Sequence, residues 1–179
     1  MPEQPLWAPW RIDYVLHKKR SSGCILCELA ATPPQEEGLV LGHAAGSYVV
    51  LNRYPYAPGH LMVVPSTHHG DLATLPVPIA EACSRLLQVA VGVVSDVLGT
   101  DGLNVGLNLG SAAGAGIPGH LHWHVVPRWE GDNNFMPVVG DQRVVSEQLS
   151  GTWRRLVGPF AEALEVAGLA PGTNGESHP

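Results

Sequence analysis

The stretch His120-Leu121-His122-Trp123-His124-Val125-Val126 places three of the chain's nine histidines at every second position. Leu121, Trp123, Val125 and Val126 favour extended backbone, and Pro127 suits the end of a strand. Residues two apart in a strand share a face, and at about 3.3 Å per residue the outer two backbone positions lie about 13 Å apart. The three imidazoles are therefore expected on one face of one strand. Zinc holds imidazole nitrogen at about 2.0 Å in a tetrahedron, so one ion can take at most two of the three rings, and the third needs another role. A neutral imidazole can instead attack phosphorus or an acyl carbon, provided that neighbours fix its tautomer and donate to the developing charge. A lone histidine is more often a hydrogen-bonded core residue; three in register argue for a site.

The segment that precedes them, Gly110-Ser111-Ala112-Ala113-Gly114-Ala115-Gly116-Ile117-Pro118-Gly119, has no side chain larger than isoleucine. Glycine lets backbone amides come close to an anion, so Gly114, Gly116 and Ile117 are candidate phosphate-side positions. Further out, residues 47–54 (SYVVLNRY) and 60–65 (HLMVVP) are rich in Val, Tyr and Leu and are joined by Pro55-Tyr56-Ala57-Pro58-Gly59, the pattern of a hairpin of buried strands. Ile79, Cys83, Leu86, Leu87, Ala90, Val94, Val97 and Leu98 recur at helical spacing, and Gly99 is placed to end that helix. Leu103, Val105, Leu107 and Leu109 alternate with small or polar residues, as in a strand with one buried face. A second helix is expected from about Ser146 to Val166, and an amphipathic one near Trp7, Trp10, Tyr14 and Val15. Strands, long helix, strands, helix is the order of an α+β domain with an antiparallel sheet. One domain is expected over residues 1–167, with an N-terminal extension, and a flexible tail over 168–179.

A chain of 179 residues can bury roughly 70% of its unfolded surface without disulfides. The charge is −6, and the only basic run is His17-Lys18-Lys19-Arg20, which argues against duplex nucleic acid as a partner. The apolar tract from Ile79 to Leu98 carries Glu81, Arg85 and Asp96, so it is expected to be a buried helix and not a membrane span. Cys24, Cys27 and Cys83 suit a reducing cytoplasm, where a Cys-x-x-Cys pair more often serves metal or redox chemistry than a crosslink.

The stretch 120–126 resembles the His-x-His-x-His-x-x motif of the histidine triad nucleotide-binding superfamily. Residues 51–68 (LNRYPYAPGHLMVVPSTH) resemble that family's hairpin, and Asn108 precedes the Gly-rich loop as in its members. Residues 7–11 (WAPWR) and 120–138 resemble the branch that contains bacterial diadenosine tetraphosphate phosphorylases. The resemblance spans roughly residues 5–165. It implies a sheet of about five antiparallel strands with a long helix and a C-terminal helix. It also implies a two-step transfer, in which His122 attacks the α-phosphate of a dinucleoside polyphosphate and water or inorganic phosphate cleaves the nucleotidyl-histidine. His124 would contact the phosphate, His60 would lie near the nucleophile, Asn52 near the ribose and Asn108 near the phosphates. Two other activities fit the same motif: cleavage of nucleoside phosphoramidates, and nucleotide binding in a regulatory module.

Many family hydrolases carry glutamine four residues before the first triad histidine, where this chain has Gly116. The lost donor leaves room for phosphate as acceptor and favours phosphorolysis. The resemblance also implies a structural zinc held by Cys24, Cys27, His68 and His120, with His69 as a competitor for the His68 position. It further implies a homodimer formed by pairing of sheets.

Overall fold

The computed structural model describes residues 23–44, 46–132 and 148–170. The expected helix around Trp7 to Val15, the basic run, and residues 171–179 of the expected tail lie outside them. Five strands build one antiparallel sheet: β1 (Val40–Ala44), β2 (Ser47–Leu51), β3 (Leu61–Pro65), β4 (Gly102–Leu107) and β5 (Trp123–Arg128), in the order β1-β2-β3-β5-β4. Among the described residues three helices accompany it: α1 (Ile25–Ala30), α2 (Val77–Leu98) and α3 (Leu149–Val166). The α+β class and the five-strand sheet are those expected.

Strands β2 and β3 pair from Ser47 opposite Pro65 to Leu51 opposite Leu61, the register of the anticipated hairpin. Both are almost wholly buried, because α2 covers them with Cys83, Leu86, Ala90, Val93 and Val94. These are the helix positions that the apolar spacing marked, with Val93 added. Gly99 ends α2 in the left-handed conformation at φ 59°, which costs a residue without Cβ little. α3 sets Thr152, Leu156, Phe160 and Leu164 on one buried stripe at intervals of four. It closes with Gly168 at φ 63°, whose N–H reaches Glu165 O, while Leu169 N–H reaches Leu164 O. Leu169 is thereby tucked into the core.

Three features differ from the sequence reading. Strand β1 was not anticipated: Gly42 and His43 break its alternation, and a bulge lies between Val40 and Gly42. The glycine has a packing reason, since a Cβ there would stand 2.7 Å from Leu164 Cδ1 of α3. Strand β4, at the sheet's edge and paired only with β5, has its expected face only partly covered: Leu103 and Leu107 are half-buried and Val105 is 45% exposed. The triad is not wholly in a strand either. β5 begins at Trp123, so His120 and His122 lie in the segment that leads into it. Pro65, at the end of β3, has no N–H with which to extend the ladder, and Leu121 N–H is taken instead by His69 O at 2.7 Å.

The buried polar side chains include three histidines, His60, His120 and His122. His60 is fully buried, and that burial, followed by the neighbouring His124 and His122, lowers its pKa from 6.5 to about 3. An unfolded chain therefore binds a proton at His60 between these values that the folded chain refuses, so stability falls as pH drops from about 6.5 to about 3 and is insensitive to this group above that window. Urea titrations at about pH 7.5 and about pH 4.5 should show the loss, and it should be smaller in His60→Gln. Equal losses in the two proteins would mean that His60 is not held neutral in the fold.

Candidate functional site

Two clusters meet at His120. The first begins at the start of α1, where Cys24 caps the helix and Cys27 N–H bonds to Cys24 O at 2.9 Å, so both thiols point the same way. Tyr48 O–H donates to Leu26 O at 2.7 Å and fastens this short helix to β2. Across from it, Cys24 Sγ lies 3.4 Å and Cys27 Sγ 3.5 Å from His120 Nδ1, and Cys27 Sγ lies 3.3 Å from His68 Nδ1. All four potential ligand atoms fall within 4.8 Å of one another. A tetrahedral zinc with bonds of about 2.3 Å to sulfur and about 2.05 Å to nitrogen would set N···S edges of about 3.6 Å, close to those observed. The donor set and spacing thus fit such an ion. The Cys27 thiol pKa is raised by burial and then by Cys24 beside it, and a bound divalent cation would oppose that effect.

His68, not His69, is the ring brought to the cluster. His69 Nε2 contacts Thr74 Oγ1 at 3.1 Å, and its carbonyl holds Leu121. The two loops meet backbone to backbone: a Cβ on Gly70 would lie 3.0 Å from Gly119 and from Pro118 O. A side chain at Gly70 would push the triad segment away from β3.

His120 uses every polar atom it has in this region. Nδ1 faces the thiols, Nε2–H donates to Pro65 O at 2.9 Å, and its backbone O accepts from His122 Nδ1–H at 2.8 Å. The last bond decides the tautomer of His122. With the proton on Nδ1, the lone pair is on Nε2. The His122 ring packs edge-on to His124 at 5.0 Å between centroids.

His124 is the one triad member within β5, paired with Gly106 and Met62. Its Nδ1 lies 3.0 Å from His60 Nε2. His60 in turn receives Tyr56 N–H on Nδ1 at 3.0 Å, and the Tyr56 ring lies tilted by 36° against it at 4.6 Å between centroids. The loop that carries these groups depends on Gly59, which is at φ 76° and so close to α2 that a Cβ would meet Leu98. Asn52 bonds through Oδ1 to Tyr54 N–H at 2.9 Å, and its amide nitrogen rests 3.4 Å from both ring nitrogens of His60.

The Gly-rich segment is exposed between β4 and the triad, with Ser111–Ala113 as a short 3₁₀ turn and Gly114 left-handed at φ 89°. Gly116 is exposed and Ile117 half-buried, the latter accepting His120 N–H at 3.2 Å through its carbonyl. Asn108 is half-buried where this segment begins. Cys24, Cys27, His68 and His120 thus form one cluster, and Asn52, His60, His122 and His124 a second beside it. The contributions that sequence reasoning missed are Tyr56 N–H, Pro65 O and His120 O. All three are backbone atoms, which no residue type announces.

A family model described as the HIT domain matches residues 34–131. The chain is 39% identical over 165 residues to a protein of Mycobacterium tuberculosis named AP-4-A phosphorylase, an alignment covering 88% of this chain and 85% of that one. It is 32% identical over 88 residues to a bis(5'-adenosyl)-triphosphatase of Saccharomyces cerevisiae, covering 49% and 42% of the two chains. A solved Zn-bound histidine triad family protein from Mycobacterium smegmatis superposes with a TM-score of 0.65 at 23% identity, over 82% of this chain and 99% of that one. With its three histidines backed by the expected sheet and hairpin, the chain belongs to the HIT domain family.

Proposed function

We propose that the protein cleaves dinucleoside polyphosphates of the diadenosine tetraphosphate type at an α-phosphate, through a covalent nucleotidyl-His122, with inorganic phosphate as the acceptor. The observation that carries this reading is the 2.8 Å bond from His122 Nδ1–H to His120 O, which gives the ring one defined nucleophilic atom, Nε2. His122 Nε2 attacks the α-phosphorus, the bond to the bridging oxygen breaks, and the electron pair leaves with the polyphosphate. An oxygen of inorganic phosphate then attacks the same phosphorus and returns the pair to Nε2. His124, 5.0 Å from His122 between ring centroids, donates to phosphoryl oxygens as charge develops. His60 holds His124, Asn52 contacts the ribose, and Asn108 with the Gly114–Gly116–Ile117 segment borders the phosphates. The relatives named as a phosphorylase and a triphosphatase support the substrate class. Gly116, which has no side-chain donor, favours phosphate over water.

In this reading Cys24, Cys27, His68 and His120 hold a structural zinc, which when bound supplies a crosslink between α1, β3 and the triad segment and takes no part in the chemistry. The protein acts as a soluble cytoplasmic homodimer that pairs across the β4 edge, where Val105 in the strand and Leu109 just beyond it are exposed.

Three outcomes follow. With diadenosine tetraphosphate, ADP and ATP should form only when phosphate is added, and His122→Ala should lower kcat by about a thousandfold or more; AMP and ATP formed in water would make water the acceptor, and no turnover would leave a nucleotide-binding module. Purified protein should contain about one zinc per chain, which Cys24→Ser should lose along with several degrees of Tm; metal-free protein with unchanged Tm would dismiss the site. Sedimentation should give a dimer that Val105→Glu breaks, whereas a parent monomer would rule out the pairing.

A further inference from the structure

We propose that Cys24 and Cys27 are a peroxide-sensitive thiol pair, whose oxidation to an intramolecular disulfide withdraws the support of His120 and so unseats the His122 ring. The disulfide depends on the thiols alone, whereas its effect on activity rests on the nucleotidyl-His122 reading.

The chain has three cysteines, and the fold sorts them. Cys83 lies on the buried stripe of α2 and is 1% exposed, whereas Cys24 and Cys27 are half-buried at the start of α1. Their sulfurs lie within 4.8 Å of each other, because one turn carries both residues, with Cys27 N–H on Cys24 O. Oxidation therefore has an intramolecular route. One sulfur attacks an oxygen of hydrogen peroxide, the O–O bond breaks and hydroxide leaves, giving a sulfenic acid; the second sulfur then displaces hydroxide from the first. Two thiols and one peroxide become one disulfide and two waters, with two electrons passing from sulfur to oxygen, and a dithiol reductant restores the thiols.

The consequence falls on His120. Its Nε2–H donates to Pro65 O at 2.9 Å, so the lone pair is on Nδ1, and both sulfurs face it, Cys24 at 3.4 Å and Cys27 at 3.5 Å. A thiol S–H can donate to that lone pair and a zinc ion held there can accept it, but a disulfide does neither. The sulfurs would also close from about 3.8 Å apart around a tetrahedral zinc to about 2.05 Å in a disulfide. His120 is 1% exposed, so its lone pair would be left buried and unpaired, a costlier state than a bond lost at the surface. Moving the proton to Nδ1 gives no relief, since bare Nε2 would then face Pro65 O. The ring turns toward water instead, and with it the residue whose carbonyl holds His122 Nδ1–H at 2.8 Å. His68, 3.3 Å from Cys27 Sγ, is exposed and passes to water without that penalty. Cys24 and Cys27 are thus positioning residues, acting on the nucleophile through His120.

A titration of the full chain with hydrogen peroxide, read three ways, tests this. Mass spectrometry after alkylation should find Cys24 and Cys27 joined, lighter by two hydrogens and closed to the alkylating reagent, with both thiols regained in dithiothreitol and Cys83 a thiol throughout. Untouched thiols, or sulfinic or sulfonic acid in place of the disulfide, would overturn the pair. In ¹⁵N NMR near neutral pH, His122 should carry hydrogen on Nδ1 alone in the reduced protein and show both tautomers in the oxidised one, while the amide signals of β1, β2 and β3 stay in place. An unchanged His122, or general unfolding, would refute the coupling. Turnover of diadenosine tetraphosphate should fall by about a hundredfold, the scale of a small misplacement of a reacting group, and return on reduction; equal turnover in the two forms would also refute it. Should neither form turn over any substrate, the cleavage reading falls, while the mass and NMR readings still decide whether the pair closes and moves His122.

Discussion

The bond between His122 Nδ1–H and the carbonyl of His120 is the constraint on which the site turns. It ties a side chain to the backbone two residues earlier, and that backbone is itself held on three sides. The His120 ring lies against the cysteines and Pro65 O, its N–H is on Ile117 O, and the next N–H is on His69 O. An imidazole on a flexible loop would sample many orientations; this one inherits the rigidity of the β3 end and of α1. The thiol cluster and the cluster of His122, His124 and His60 are thus joined through one residue, with its ring serving the first and its carbonyl the second.

The hairpin plays the matching part on the other side. Gly59 lets the loop turn under α2, and the turn delivers both the buried His60 and the Tyr56 amide that orients it. Two fixed backbone groups, one on each flank, hold neighbouring rings: His120 O takes Nδ1–H of His122, and Tyr56 N–H orients His60 against Nδ1 of His124. The two chemically identical side chains are thereby made inequivalent, one bonded to backbone and the other to a second imidazole.

Much of this was legible in the sequence where side chains carry the information. The apolar spacing of α2, the hairpin at residues 47–65 and the cysteine pair could be read because burial and metal ligation depend on residue type. Strand β1 was hidden because Gly42 serves packing against Leu164 instead of alternation. The alternation in β4 was real, but its face is only partly covered, with Leu103 and Leu107 half-buried and Val105 exposed. The strand expected over the whole triad stopped short because Pro65 cannot donate and the His69 loop intervenes. The tautomers were out of reach, since they depend on backbone atoms brought together by the fold.

The cluster also joins parts of the chain that are far apart in sequence, with Cys24 and His120 separated by 96 positions. Closing so long a loop is entropically costly and slows folding when it must precede other contacts. During synthesis, the sheet can gather β1, β2 and β3 early, but the anchor for His122 has to wait for the segment that also contains His122 itself. Assembly order and site geometry are therefore coupled: the His122 ring has no fixed support until α1 and the end of β3 have met the triad segment.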